Sequence, residues 1–192
     1  AAVNASADAG SCFATVVLTA PATADNCGVA SVTNNAPATF PIGTTTVTWT
    51  VTDNAGNTNT CTQNVTVTDN ENPTITCAAA VNASADTGSC FATVVLAAPA
   101  TADNCGVASV TNNAPATFPI GTTTVTWTVT DNAGNTATCT QNVTVTDNEN
   151  PTITCAAAVN ASADAGSCFA TVVLAAPATA DNCGVASVTN NA

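Results

Sequence analysis

The 192 residues carry twelve acidic side chains and no Lys, Arg or His, a formal net charge of -12. A chain without cations cannot neutralise phosphates or adhere by charge to an anionic bilayer, which excludes nucleic acid and acidic lipid as partners, and it lacks the usual general bases and phosphate-clamping lysines. Ten cysteines with no His and no CxxC pair argue against zinc and for disulfides, hence for an oxidising, extracellular or cell-surface location; no apolar run approaches the roughly 18 residues of a membrane helix, so no membrane insertion is expected of this segment.

Self-similarity sets the organisation. AAVNASADAGSCFATVVL at residue 1 returns at residue 79 with one change and again at residue 157, a period of 78. The first two copies differ only at Ala9 against Thr87, Thr19 against Ala97 and Asn59 against Ala137. The unit is long for a solenoid repeat and suits a small β module with its own core. The expected modules are 1–68, lacking its first strand start, 69–147, complete, and 148–192, the N-terminal part of a third. Two expectations attach to the ends: the chain is a window on a longer polymer, or residues 148–192 lend strands to the first module of a neighbouring molecule.

Within the complete module, residues 91–96 and 107–110 are predicted as strands, and Pro119-Ile120-Gly121 marks a tight corner. Residues 122–130 alternate strictly, placing Val125, Trp127 and Val129 on one face and threonines on the other, the pattern of a half-buried strand. Asp131-Asn132-Ala133-Gly134-Asn135 is turn chemistry, and residues 139–146 form the returning strand with Val143 and Val145 inward. No stretch shows helical periodicity with caps, and short strands separated by Gly-, Pro- and Asn-rich turns read as an all-β sandwich.

DNCG, TFPIGTTTVTWTVTDNAGNTATC and VTVTDNENPTITC, in that order, resemble the hyalin repeat (HYR), an immunoglobulin-like module of extracellular adhesive, matrix and bacterial surface proteins. The resemblance covers the whole chain. It implies tandem immunoglobulin-like β-sandwich domains, adhesion or scaffolding, and no catalytic residues, so an enzyme is not expected. One departure is that Ala78 follows Cys77 where the family usually has Pro, and another is that the strands carry no charge. The expected function is an extracellular structural component: a disulfide-stapled fibre or adhesin stalk, or a filament subunit associating with copies of itself through calcium-rigidified or strand-exchanged junctions. The alternative is an adhesive module binding glycan, ice or a host surface, with the outward threonines as the contact face.

In an immunoglobulin-like sandwich the loops after the second and sixth strands lie at the end where the chain enters. Asp103, Asp131 and the linker residues Asp69 and Glu71 are therefore expected to converge, with Asn70 between the last two. Asp147, Glu149 and Asp181 recur at the next junction. Four carboxylates with no cation near them repel unless a metal neutralises them, and carboxylate, amide and carbonyl oxygens are what Ca²⁺ prefers. Residues 68–73, Thr-Asp-Asn-Glu-Asn-Pro, resemble the acidic linkers of calcium-binding cadherins, so Ca²⁺ at each junction is one expectation. The other is that Asp and Asn serve only the turns.

Cys77, Cys90, Cys105 and Cys139 allow three pairings. The first and last strands of such a sandwich start at one end, which favours Cys77 with Cys139. Cys90 and Cys105 are too far apart if the chain between them is extended, so either that loop doubles back or Cys90 crosses the junction to Cys183. The local pairing is favoured, with Cys12–Cys27 and Cys168–Cys183 its counterparts and Cys61 and Cys155 left over. Asn82-Ala83-Ser84 and Asn142-Val143-Thr144 fit the N-glycosylation pattern.

Overall fold

The computed structural model describes residues 1–191 and contains strands and turns but no helix among them. The first repeat contributes β1 (Val3–Ser6), β2 (Phe13–Ala14), β3 (Val29–Asn34), β4 (Phe40–Pro41), β5 (Gly43–Asp53) and β6 (Thr58–Thr68). The second contributes β7 (Thr74–Thr76), β8 (Val81–Ser84), β9 (Phe91–Ala92), β10 (Ala100–Ala102), β11 (Val107–Asn112), β12 (Phe118–Pro119), β13 (Gly121–Asp131) and β14 (Thr136–Thr146). β15 (Thr152–Thr154) and β16 (Ala178–Ala180) follow. Two compact units result, one of Ala1–Ala78, Ala98–Asn113 and Thr126–Thr140, the other of Ala79–Ala97, Ala114–Val125 and Gln141–Ala192.

The long hairpins are built by alternation. Period-2 side chains place Val47 and Trp49 inward on β5, and Val125, Trp127 and Val129 inward on β13, all buried. The threonines between them face outward and pair across the hairpin, Thr44 with Thr66 and Thr122 with Thr144 at 3.0 Å, while Thr46 donates to Asn64 and Thr124 to Asn142 at 3.0 Å. Each hairpin is flanked on one side by a parallel strand, β1 against β6 and β8 against β14, and on the other by an antiparallel one, giving orders β1-β6-β5-β3 and β11-β13-β14-β8. In the first repeat Phe40 and Ala14, from the short β2–β4 pair, close over Val47, Trp49, Val65 and Val67 to form the core. This is an all-β, immunoglobulin-like sandwich.

The expected strand at 91–96 is shorter than its composition implies. Only Phe91–Ala92 pairs, against Phe118–Pro119; Val95 beyond it is 94% exposed, because no strand lies beside it to receive its backbone groups. The expected strand at 107–110 instead runs to Asn112, following β13 to its partner Trp127.

Three disulfides form: Cys77–Cys139, Cys12–Cys105 and Cys90–Cys183. The favoured local pairing of Cys90 with Cys105 is therefore corrected, and with it Cys12–Cys27 and Cys168–Cys183. Cys90 takes the junction-crossing route to Cys183, and Cys12 does the same to Cys105. The physical reason lies in β10, whose residues 100–102 are committed to an antiparallel ladder with 74–76, so the loop after it is held by the linker and does not double back toward Cys90. Cys27, Cys61, Cys155 and Cys168 are free and exposed.

Candidate metal centre

Asp131 begins the turn that closes the β13–β14 hairpin. Its Oδ1 accepts from the backbone N–H groups of Ala133 and Asn135 at 2.9 and 2.8 Å, and its Oδ2 from the Asn135 amide at 2.8 Å. The carboxylate is 2% exposed. Burial pushes its pKa up, but the hydrogen bonds from Asn135, Gly134 and Ala133 outweigh it and hold the group below the usual carboxylate range.

Asn135 carries the turn to the linker, donating also to the carbonyl oxygens of Asp69 and Glu71 at 3.2 and 3.1 Å. Asp69, 5% exposed, follows directly on β6, and its Oδ1 accepts from Glu71 N–H at 3.1 Å and Asn104 Nδ2 at 3.3 Å. The third segment is the loop after β10. Asp103 Oδ2 accepts from Cys105 N–H at 2.8 Å, Asn104 Nδ2 donates to Ser11 O at 2.9 Å, and the Cys12–Cys105 bridge holds the loop covalently to the first repeat. Gly106 is required here: it adopts φ 98°, and a Cβ would meet Asn132 Nδ2 at 2.9 Å, the amide that donates to Cys105 O.

These three segments bring a carboxylate oxygen each from Asp69, Asp103 and Asp131 within 4.8 Å of one another. Asp69 Oδ2 and Asp103 Oδ1 are buried with no hydrogen-bond donor. The chain has no Lys, Arg or His to balance them. Buried, unpartnered carboxylate oxygens beside like charges are costly, and a hard cation relieves both costs at once; an all-oxygen set suits Ca²⁺ or Mg²⁺ rather than softer metals.

The remaining expected ligands are placed otherwise. Glu71 does not join the trio, because its Oε2 accepts from Gly10 N–H at 2.8 Å, and Asn70 Nδ2 donates to Ser6 Oγ at 3.0 Å. At the second junction Asn182 Nδ2 donates to Asp147 Oδ1 at 3.3 Å and Ser89 O at 2.8 Å, Asp181 Oδ1 accepts from Cys183 N–H at 2.8 Å, and Glu149 Oε1 accepts from Gly88 N–H at 3.0 Å. Among the described residues no third carboxylate joins Asp147 and Asp181. Asn104 and Asn135 are the organising residues that sequence reasoning passed over; their Asp-Asn and Gly-Asn contexts read only as turn signals.

A disulfide-stapled, all-β repeat chain with acidic junctions defines the class: an extracellular or cell-surface repeat protein. The chain belongs to the HYR domain family, whose model matches residues 2–67 and 68–145. Hyalin of Strongylocentrotus purpuratus is 34% identical over 131 residues, covering 64% of this chain and 11% of that protein. Hyalin of Lytechinus variegatus is 34% identical over 135 residues, covering 65% and 26%. The chain thus spans about a tenth to a quarter of these relatives. Among solved structures, protocadherin gamma B7 extracellular cadherin domains 1–4 aligns over 84% of this chain and 54% of its own, with 12% identity and a TM-score of 0.37.

Proposed function

We propose that this chain is a load-bearing segment of an extracellular adhesive fibre or stalk, with modules at 1–68, 69–147 and 148–192 and with Ca²⁺ rigidifying the junction between the first two. The observation that carries the reading is the gathering of Asp69, Asp103 and Asp131 from three segments, two of their oxygens buried without a donor. Membership of the HYR family and two junction-crossing disulfides support the structural role: a chain whose adjacent repeats are covalently joined transmits tension rather than releasing modules. Asp69, Asp103 and Asp131 would hold the ion, which supplies the positive charge the sequence lacks. Association with further copies of the chain follows the same logic, since near-identical repeats offer the same surfaces along their length.

The test is thermal unfolding of the full chain at low, fixed ionic strength in calcium and in excess chelator. The expected result is a midpoint several degrees higher in calcium, since a ligand at about 100 times its Kd stabilises by about 2.7 kcal/mol. An unchanged midpoint defeats the calcium reading.

A further inference from the structure

We propose that the Cys12–Cys105 bridge assembles the ion site, so that calcium affinity is set by whether this bridge is closed. The proposal deepens the calcium reading of Asp69, Asp103 and Asp131 and rests on it.

The three carboxylates differ in how they are held. Asp131 is fixed by its own turn, and Asn135 fastens that turn to the carbonyls of Asp69 and Glu71, so two of the three meet without the Cys12–Cys105 cross-link. Asp103 is brought near by the β7–β10 ladder, which ends with Ala102 opposite Thr74, Thr74 Oγ1 donating to Ala102 O at 3.0 Å. Its loop is internally ordered by the Cys105 N–H to Asp103 contact and by Asn132 on Cys105 O. What then closes the loop onto Asp69 is Asn104, reaching Ser11 O and Asp69 Oδ1, together with the bridge to Cys12.

The first repeat shows the same loop without the bridge. Asp25-Asn26-Cys27 is identical in sequence, and Cys27 N–H donates to Asp25 Oδ1 at 2.7 Å while Asn54 Nδ2 donates to Cys27 O at 2.8 Å. The loop's fold therefore does not depend on a disulfide. Yet Cys27 is a free thiol there and all three residues are exposed, whereas Asp103, Asn104 and Cys105 are half-buried. The bridge adds to the β7–β10 ladder and to Asn104 in holding Asp103 beside Asp69 against the repulsion of two like charges.

Opening the bridge takes two electrons and two protons from an external dithiol. The Sγ–Sγ bond breaks, Cys12 and Cys105 become thiols, and the dithiol closes to its own disulfide. With the bridge open, calcium must itself help hold the already folded 103–106 loop against Asp69. Because linkage is reciprocal, calcium must equally resist opening of the bridge.

Calcium titration of the full oxidised chain against the C12S/C105S double variant is expected to show roughly tenfold weaker binding in the variant, within the usual range of coupling between two sites. The reciprocal measurement needs no variant: dithiothreitol is added to the native chain with and without calcium, and newly exposed thiols are mapped by alkylation and mass spectrometry. Calcium is expected to slow opening of Cys12–Cys105 and to leave Cys90–Cys183, where among the described residues no third carboxylate joins Asp147 and Asp181, unprotected. Equal calcium affinity in both proteins, or equal protection of both bridges, overturns the inference and leaves the ion reading standing. No calcium binding by the oxidised chain overturns the ion reading and the inference with it.

Discussion

The first and second repeats carry the same loops with different fates. Asp25, Asn26 and Cys27 are exposed where Asp103, Asn104 and Cys105 are half-buried; Asp53 is half-buried where Asp131 is 2% exposed; Cys61 is free where Cys139 is bridged. The sequences at these positions are identical, so the difference cannot come from the loops. It comes from what covers them: residues 69–77, which lay Asp69 beside the turn, β7 beside β10 and Cys77 against Cys139, and Ser11 and Cys12, which hold Asn104 and Cys105. All three carboxylates lie within residues 69–147, and what the first repeat adds is the hold of Ser11 and Cys12 on the Asp103 loop.

The largest effect that separates the two repeats is covalent. Replacing Cys77 and Cys139 together with serine is expected to lower unfolding stability by about 4 kcal/mol, from the loop the bridge closes, while Cys61→Ser stays within about 0.5 kcal/mol. Denaturant unfolding monitored by tryptophan fluorescence checks both; a comparable loss from Cys61→Ser would break the comparison. Next in size is Asn135→Ala, which removes the strap between the turn and the linker. Calcium affinity is expected to fall by about 10- to 100-fold, as for loss of an outer-shell partner, and Asn57→Ala, its counterpart in the first repeat, is expected to leave it unchanged.

The smallest effect is shared. Asp53 is held below the usual carboxylate range first by the Asn57 side chain and then by Asn57 N–H, against the opposing effect of burial, and Asp131 is lowered as well. A carboxylate with a depressed folded pKa stabilises fully above the unfolded value, about 4, and that stability is lost as pH falls through the folded value. Unfolding midpoints measured in chelator between pH 7 and 3 should therefore fall on the acid side. Asp53→Asn and Asp131→Asn should each flatten that fall. A fall that either substitution leaves unflattened would break the expectation for that turn.

Much of the fold was legible because alternation is a local signal. Val125, Trp127, Val129, Val143 and Val145 take the inward positions their period assigns. The parallel pairing of Val81 with Val143 was not legible, since nothing local to 81–84 names a partner 62 residues on. Residues 93–96 have strand composition but no strand beside them, and propensity does not supply one. For the acids, placing Asp69, Asp103 and Asp131 at one end needed only the order of loops. The diversion of Glu71 needed Gly10 N–H to be in reach, a contact 61 residues away in sequence. The cysteine pairing failed on the same kind of information, because the course of the 100–102 ladder decides which sulfur atoms can meet.

The staggered bridges have a consequence for a molecule under tension. Loops 12–105, 77–139 and 90–183 overlap, so every residue from Cys12 to Cys183 lies inside at least one covalent ring. A pull on the two ends runs through the first sulfur bridge, back along the short stretch between Cys105 and Cys90, and out through the second. Even with every strand melted, most of the backbone would hang slack beside that route.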